Sequence, residues 1–362
     1  MTINDLIKFA VENNASDLHI SSLEPPILRI AGRLRKVSGE VLSDEDVQEM
    51  IYATFNEENK LTYEETHDVD YSYHLPDVAR CRCNAFMGLR GAACALRIIG
   101  ANVIPFDTLG LPGNIKELAK KEKGLILITG PAGCGKSTTM TSFIDVINST
   151  RSAHILTLED PVEFIHTPKK SLITHRQIGR DTKSFASALK GALREDPDVI
   201  LVGEMRDRET IQLALTAAET GHLVVSTLHT SSAAQTINRI INAFSAKDQD
   251  QIRTMLAEGL LAAVSQVLLP RRDGKGVLAA FEILVATSPV RSMIRANKLH
   301  EIPSAIETGM KYNMVSLITT LSNLVRNGIV WRADCEPYVE NPNLLPPDPE
   351  LYGSEDEQQL NN

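Results

Sequence analysis

The residues with the clearest chemical potential form a glycine-rich loop between two apolar segments. An apolar run at 125–128 precedes the loop, and a helix-like apolar spacing at 140–147 follows it. Where a buried strand ends and a helix begins within a few residues, backbone N–H groups can face a polyphosphate, and glycine permits the close approach. The pattern is that of a phosphate-binding loop. The loop consists of Gly130, Pro131, Ala132, Gly133, Cys134, Gly135, Lys136, Ser137 and Thr138.

Two side chains at the end of the loop complete the predicted site. Lys136 supplies a cation for the β- and γ-phosphates of a nucleotide, and the Ser137 hydroxyl is placed to ligate Mg²⁺. The predicted cofactors are therefore ATP and Mg²⁺.

Carboxylates follow two other apolar segments. Glu204 ends the run that begins at Val199, with Gly203 where nucleotide hydrolases commonly have Asp. We therefore expect Glu204 either to orient the attacking water or to act on Mg²⁺ through a water. Glu159 and Glu163, together with Asp160, follow the strand predicted at 154–158 and are candidates to help with the metal.

Alternating strands and helices must position these side chains. The alternation predicts an α/β fold with a mostly parallel sheet, in which ligands bind at the carboxyl ends of the strands. The predicted strands are 125–129, 154–158, 199–202 and 223–228, and the predicted helices include 184–194 and 209–219.

The remainder of the chain divides by composition. Residues 1–99 predict a smaller α+β domain, with Ser43 as a helix N-cap. Residues 100–113 predict a linker, 114–340 an ATPase domain with C-terminal helices, and 341–362 a disordered acidic tail.

Composition excludes several classes of protein. The net charge is −9 and no basic, aromatic-rich stripe is evident, which argues against a nucleic-acid partner. The five cysteines form no CxxC pair, so neither a zinc site nor a disulfide framework is indicated. The N-terminus lacks a signal-peptide core and no apolar run could span a bilayer. We expect a cytoplasmic protein that reaches a membrane only through a partner.

Three further segments carry a family resemblance. Residues 193–207 resemble the signature of the secretion ATPase superfamily that powers type II secretion and type IV pili, 157–164 resemble its acidic box, and 220–230 its histidine box. From residue 15 to about 330 the chain is most similar to the type IV pilus retraction ATPase (PilT) family within it.

The resemblance implies a PAS-like N-terminal domain joined to a RecA-like ATPase domain, in a homohexamer with nucleotide between subunits. It implies that Arg82 and Arg97 reach a neighbour's phosphates, and that His229 senses the γ-phosphate or links it to the interface. The implied partners are an inner-membrane pilus platform protein and a paralogous retraction ATPase, which would place the chain at the inner face of the inner membrane.

A C-terminal segment also resembles retraction ATPases. Residues 289–296 keep Arg291, Ile294 and Arg295 of the family's AIRNLIRE motif, which is needed outside the nucleotide site, while Ala296 replaces its final Glu. This departure, with another at 313–317, leaves room for a paralogue. The alternative is a surface helix with two solvated arginines.

The leading functional interpretation is a hexameric ATPase motor for pilus retraction. A pilus assembly or type II secretion ATPase would share the same active site, although such proteins usually carry extra N-terminal domains and a cysteine-bearing insertion. An accessory subunit that binds nucleotide with little turnover, and a DNA-translocating motor on the same core, are the remaining alternatives.

Overall fold

The structure, a computed structural model, describes residues 2–30, 32–37, 39, 41–76, 78–100 and 103–349. The chain separates into two compact units. The first contains the N-terminal part up to Ile104 together with Thr157–Lys169 and Ile173–Phe185, and the second contains Pro105–Leu156, Lys170–Leu172 and the chain from Ala186 onward. The sequence placed 157–169 and 173–185 in the ATPase domain, whereas their contacts place them in the first unit.

The first unit contains an antiparallel sheet of six strands and three helices. Its strand order is β3-β2-β1-β6-β5-β4 for β1 (Asp17–Ser21), β2 (Ile27–Ile30), β3 (Arg33–Lys36), β4 (Asp68–Leu75), β5 (Ala79–Gly88) and β6 (Gly91–Gly100). The helices are α1 (Ile3–Glu12), α2 (Asp44–Tyr52) and α3 (Glu57–Thr66).

Local chemistry explains where these elements begin and which faces they bury. The Ser43 side chain accepts a hydrogen bond from the backbone N–H of Asp46, whose own side chain bonds back to Ser43, so the predicted N-cap of α2 is confirmed. Along β5, Cys81 and Cys83 face the core while Arg82 is exposed. The sheet therefore has one buried and one open face.

The second sheet has seven strands in the order β13-β12-β7-β11-β10-β8-β9. These are β7 (Gly124–Thr129), β8 (His154–Glu159), β9 (Leu172–Gln177), β10 (Val199–Val202), β11 (Leu223–Leu228), β12 (Leu260–Pro270) and β13 (Val277–Val285). The other helices are α4 (Gly113–Glu117), α5 (Lys136–Thr150), α6 (Phe185–Ala192), α7 (Arg208–Glu219), α8 (Ala233–Asn242), α9 (Gln249–Gly259), α10 (Ser288–Arg295), α11 (Ile302–Thr308), α12 (Leu317–Arg326) and α13 (Arg332–Cys335).

The central strands of this sheet are parallel and wholly buried. Strand β11 pairs in parallel with both β10 and β7, and every residue of the three strands is buried. Continuous apolar strands of this kind are typical of sheets covered by helices on both faces. The predicted α/β class is confirmed. None of the helices in the described part of the chain is long and apolar enough to cross a membrane.

Two predicted irregular segments are packed instead. In the predicted linker, Phe106 is buried and its ring centroid lies 6.2 Å from that of Phe143, because the chain from Pro105 joins the second core. In the predicted disordered tail, Leu345 is 3% exposed and Asp348 accepts a 2.9 Å hydrogen bond from the backbone N–H of Arg332. Residues 101–102 and 350–362 lie outside the described residues.

Candidate active site

The phosphate loop lies between the end of β7 and the start of α5, as predicted from the sequence. Its glycines adopt left-handed backbone conformations, with φ of +143° at Gly130 and +88° at Gly135. A Cβ on Gly130 would lie 2.2 Å from the backbone oxygen of Gln266, so only glycine fits there. Pro131, Ala132 and Gly133 are exposed, and Ser137 and Thr138 are half-buried in the first turn of α5.

Lys136 is folded into this loop. Its side chain is buried, and its ammonium donates hydrogen bonds of 2.8 Å to the carbonyl oxygens of both Gly130 and Pro131. The same ammonium lies 3.4 Å from Nδ1 of His229. The positive charge of Lys136 therefore lies within a loop that precedes a helix N-terminus, and both features favour the binding of an anion.

Glu204 lies on the other side of His229. Oε1 of Glu204 is 3.4 Å from Nε2 of His229, while Oε2 accepts a 2.8 Å hydrogen bond from Nε of Arg206. The Glu204 side chain is 18% exposed. The structure therefore brings three predicted residues together, with the two ring nitrogens of His229 facing the ammonium of Lys136 and the carboxylate of Glu204.

Hydrogen bonds between strand ends fix the position of Glu204. The Thr227 hydroxyl donates 2.6 Å to the carbonyl of Gly203, and the Ser226 hydroxyl donates 2.8 Å to that of Val202. The backbone N–H of Met205 donates 3.2 Å back to the carbonyl of Thr227. The residues on both sides of Glu204 are therefore held against the strand that leads to His229.

A chain of hydroxyl groups, three of them buried and that of Thr230 half-buried, runs beneath the site and was not predicted from the sequence. Thr129, the last residue of β7, lies 2.7 Å from the Ser265 hydroxyl and 3.4 Å from that of Thr236. Thr236 is in turn 2.7 Å from Thr230, which follows His229. The chain of hydroxyls connects β7, the strand before the phosphate loop, with the histidine loop, which is the segment 229–232 between β11 and α8.

The phosphate loop also contains a thiol, that of Cys134. It is free and buried, and burial raises its pKa, so the thiol is protonated at neutral pH. Cysteine here fills space against the loop and is not a ready nucleophile.

Glu159 and Glu163 belong to the first unit, where a histidine lies beside them. The backbone N–H of Glu163 donates 3.4 Å to Oε2 of Glu159, whose Oε1 lies 3.9 Å from Nδ1 of His175. That Nδ1 is also 2.8 Å from the Thr157 hydroxyl. His175 was not among the residues predicted from the sequence.

The strand arginines occupy the open face of the first sheet. Arg82 and Arg97 stand directly opposite each other on β5 and β6, and both are exposed. Nε of Arg97 donates a 3.2 Å hydrogen bond to Oδ1 of Asp17, whose Oδ2 lies 3.7 Å from Nε of Arg29. Arg80 differs, because it is half-buried, donates 2.9 Å to the Gln177 side chain, and has a pKa lowered by burial.

The three residues of the C-terminal segment have different environments. The Arg291 guanidinium donates to the carbonyls of Ala257, Glu258 (2.6 Å), Leu260 (2.8 Å) and Ala286 (2.9 Å), and burial lowers its pKa. It thus caps the C-terminal end of α9. Ile294 is buried and Arg295 is exposed. The alternative of two solvated arginines is therefore wrong for Arg291.

Comparisons with known proteins agree with this geometry. The family model described as type II/IV secretion system protein matches residues 1–276. The type IV pilus retraction ATPase PilT of Pseudomonas aeruginosa is 44% identical over 342 residues, which cover 94% of this chain and 99% of the relative.

A twitching motility protein of Neisseria gonorrhoeae is 48% identical over 305 residues, covering 84% of this chain and 82% of that protein. A crystal structure of the pilus retraction motor PilT with bound ADP superposes with a TM-score of 0.87 at 42% identity, covering 95% of this chain and 98% of that structure.

Proposed function

The chain belongs to the type II/IV secretion system protein family, and from that membership we propose that it is an ATP hydrolase that drives type IV pilus retraction and twitching motility. The observation that carries the proposal is the position of His229 at the phosphate loop, where its two ring nitrogens lie 3.4 Å from the Lys136 ammonium and 3.4 Å from the Glu204 carboxylate. A phosphate-binding cation and a carboxylate for the attacking water are the two groups that phosphoryl transfer to water requires.

The loop fits the phosphates of a nucleotide. Pro131, Ala132 and Gly133 are exposed just before the N-terminus of α5, so the loop is open to solvent there. The backbone N–H groups of 132–138 would hold the phosphates, and the Lys136 ammonium would leave its two carbonyl partners for them. The Ser137 hydroxyl, with Glu204 through a water, would hold Mg²⁺, which neutralises charge across the phosphates.

Glu204 would act as general base or orient the attacking water. Its Oε2 is occupied by Arg206 and its Oε1 faces His229, so the carboxylate is held in one orientation before substrate arrives. His229 contacts both of the other groups, and so we assign it the role of reporting the state of the phosphates to the histidine loop.

The assembly we propose is a homohexamer in which Arg82 and Arg97 of one copy reach the phosphates held by another. Exposed guanidinium groups on a sheet face are suited to bidentate contacts with phosphate oxygens. The first unit would be PAS-like and the second RecA-like. Arg295 and its neighbours would contact an inner-membrane pilus platform protein or a paralogous retraction ATPase, keeping the chain at the cytoplasmic side of that membrane.

A second candidate function, an accessory subunit that binds nucleotide with little turnover, is favoured by one observation, the replacement of the motif's final Glu by Ala296. Steady-state phosphate release with excess Mg²⁺ separates the two functions. A motor turns ATP over continuously, whereas the accessory subunit would bind it without appreciable product.

The direction of work is tested by counting surface pili on cells that lack this protein and on cells that express Glu204→Gln instead. We expect more pili and lost motility in both, because retraction would need hydrolysis as well as the protein. Fewer pili than wild type would instead show an assembly ATPase and would contradict the proposed direction.

A further inference from the structure

We propose that Gln266 is a positioning residue that holds the phosphate loop in the conformation that binds nucleotide. It lies on β12, far along the chain from the loop and outside every segment from which the site was predicted. Its role rests on the proposed ATP-binding function of the loop, which it extends to a residue that does not touch the phosphates.

The side-chain amide of Gln266 connects the loop with the following helix. Nε2 donates a 2.6 Å hydrogen bond to the carbonyl oxygen of Cys134, and Oε1 accepts a 2.9 Å hydrogen bond from the Thr139 hydroxyl. Gln266 is 1% exposed and Thr139 is 3% exposed, so water cannot replace either contact. A single buried amide therefore fixes the Cys134 carbonyl of the loop relative to α5.

The backbone of Gln266 bounds the loop at its other end. Its carbonyl oxygen lies 2.2 Å from where a Cβ on Gly130 would be, and its Nε2 lies 3.2 Å from the corresponding position on Gly135. Both glycines that open and close the loop thus lie against one residue. A displacement of Gln266 would move the two ends of the loop together.

The register of β12 places Gln266 at this junction. Strand β12 runs parallel to β7 with Ser265 opposite Thr129, so Gln266 stands one residue beyond the end of the paired strand. The register shifts by one residue between Leu260 and Ala262, and without that shift the neighbouring side chain would face the loop. Arg291 donates to the carbonyl of Leu260 at this irregularity and so helps to fix it.

Glutamine suits this position because it offers a donor and an acceptor on one planar group. The Cys134 carbonyl requires the donor and the Thr139 hydroxyl uses the acceptor. Glutamate has the same shape but would bury a charge and set an oxygen against the Cys134 carbonyl. Alanine would leave both buried partners without their hydrogen bonds.

The test measures nucleotide binding by the full-length protein in the presence of Mg²⁺. For Gln266→Ala we expect the Kd for both ATP and ADP to rise about tenfold, which is the effect of one or two lost buried hydrogen bonds. KM for ATP should rise by a similar factor while kcat stays within about twofold, because the loop holds the phosphates in the ground state and the transition state alike.

Val267→Ala is the matched control for a loss of stability. Val267 is the next residue of the same strand and is also buried. Its apolar side chain cannot form a hydrogen bond with the loop. We expect this substitution to lower the unfolding midpoint in urea and to leave the Kd for nucleotide within about twofold.

A second pair of variants keeps the test decisive if Gln266→Ala does not fold. Thr139→Val replaces only the hydroxyl bonded to Oε1 and should raise the Kd by about threefold. Thr139→Ser keeps that hydroxyl and should have the wild-type Kd. Equal Kd values for wild type and Thr139→Val, or for wild type and Gln266→Ala, would overturn the positioning role.

The outcomes also separate this role from the proposed function. If the unmodified protein binds no ATP, the proposed function fails and the role of Gln266 fails with it. If the unmodified protein binds and hydrolyses ATP while the Gln266 and Thr139 variants bind equally well, only the positioning role is wrong. If Val267→Ala weakens binding as much as Gln266→Ala, the effect belongs to fold stability and the role is likewise wrong.

Discussion

The phosphate loop of the second unit and the arginine face of the first unit, formed by Arg82 and Arg97 on β5 and β6, differ in how their charged side chains are held. Lys136 is 9% exposed and its ammonium already contacts two carbonyls and a histidine. Arg97, by contrast, has a side chain that is 70% exposed and, among the residues that the structure describes, a single carboxylate partner, Asp17. One region is organised within the chain, and the other presents guanidinium groups to solvent.

The difference indicates that the two regions have different roles. Groups that must be in place before substrate arrives are buried and bonded, because electrostatic preorganisation requires fixed positions. Arginines that act on the phosphates of another copy must remain accessible until that copy is in place. We therefore expect substitutions in the two regions to differ in kind, with loss of binding or chemistry in the first and loss of cooperation between copies in the second.

The largest effect should come from Lys136→Ala. Removal of the ammonium takes away the main cation of the loop, and we expect the Kd for ATP to rise about 100-fold or more. Equilibrium binding of a fluorescent ATP analogue measures this. Lys275→Ala, at an exposed turn, is the control and should bind normally. Unchanged binding by the Lys136 variant would show that the loop is not the nucleotide site.

Glu204→Gln should affect chemistry rather than binding. The amide keeps the shape of the side chain but cannot accept a proton, so turnover should fall by about 10²–10³-fold while the Kd for ATP stays within a few-fold. Phosphate release under saturating ATP measures the loss. Glu209→Gln removes an exposed carboxylate that pairs with Lys190 at 2.5 Å and should leave turnover unchanged. Turnover near wild type in the Glu204 variant would remove Glu204 from the mechanism.

A smaller effect distinguishes the two arginines of α10. Arg291→Ala should lower the free energy of unfolding by about 2 kcal/mol, because it leaves the carbonyls at the end of α9 without their charged donor. Arg295→Ala is expected to change it by less than about 0.5 kcal/mol. Urea unfolding of both variants is the measurement. Equal losses of stability would contradict the capping role of Arg291.

The sequence predicted local features better than long-range ones. The phosphate loop was predictable because the eight consecutive residues from Gly130 to Ser137 encode strand end, turn and helix start. Gln266 was not, because its bond to Cys134 spans 132 residues and depends on the register of β12. Its only signal was the pair Ser265–Gln266 within an otherwise apolar strand.

Composition misled at the C-terminal end of the described chain for a related reason. The proline-rich segment from 341 predicted disorder, yet Leu345 packs with Val325 and Val330 in the described structure. Proline lowers the propensity for regular structure, but it does not prevent a short segment from burying one apolar side chain. Similarly, the motif around Arg291 suggested a partner contact, and only the fold revealed the carbonyls that it caps.

The most direct test of the proposed roles, in which the arginines of one copy act on the nucleotide of another, is ATP turnover in mixtures of inactive variants. A protein with Arg82→Ala and Arg97→Ala would retain its own loop and Glu204, and a Glu204→Gln protein would retain its arginines. If arginines act between copies, a one-to-one mixture should regain roughly a quarter of wild-type turnover, since that fraction of randomly mixed sites would combine both intact parts.

A mixture of Lys136→Ala with Glu204→Gln is the control, because no combination of these chains restores a complete nucleotide site, and it should stay inactive. Recovery in the arginine mixture alone is the result that the proposed mechanism predicts. If each variant folds and assembles as wild type and the arginine mixture still shows no recovery, the arginines serve the nucleotide of their own chain or of none. That result would contradict the proposal that Arg82 and Arg97 complete the nucleotide site of another copy.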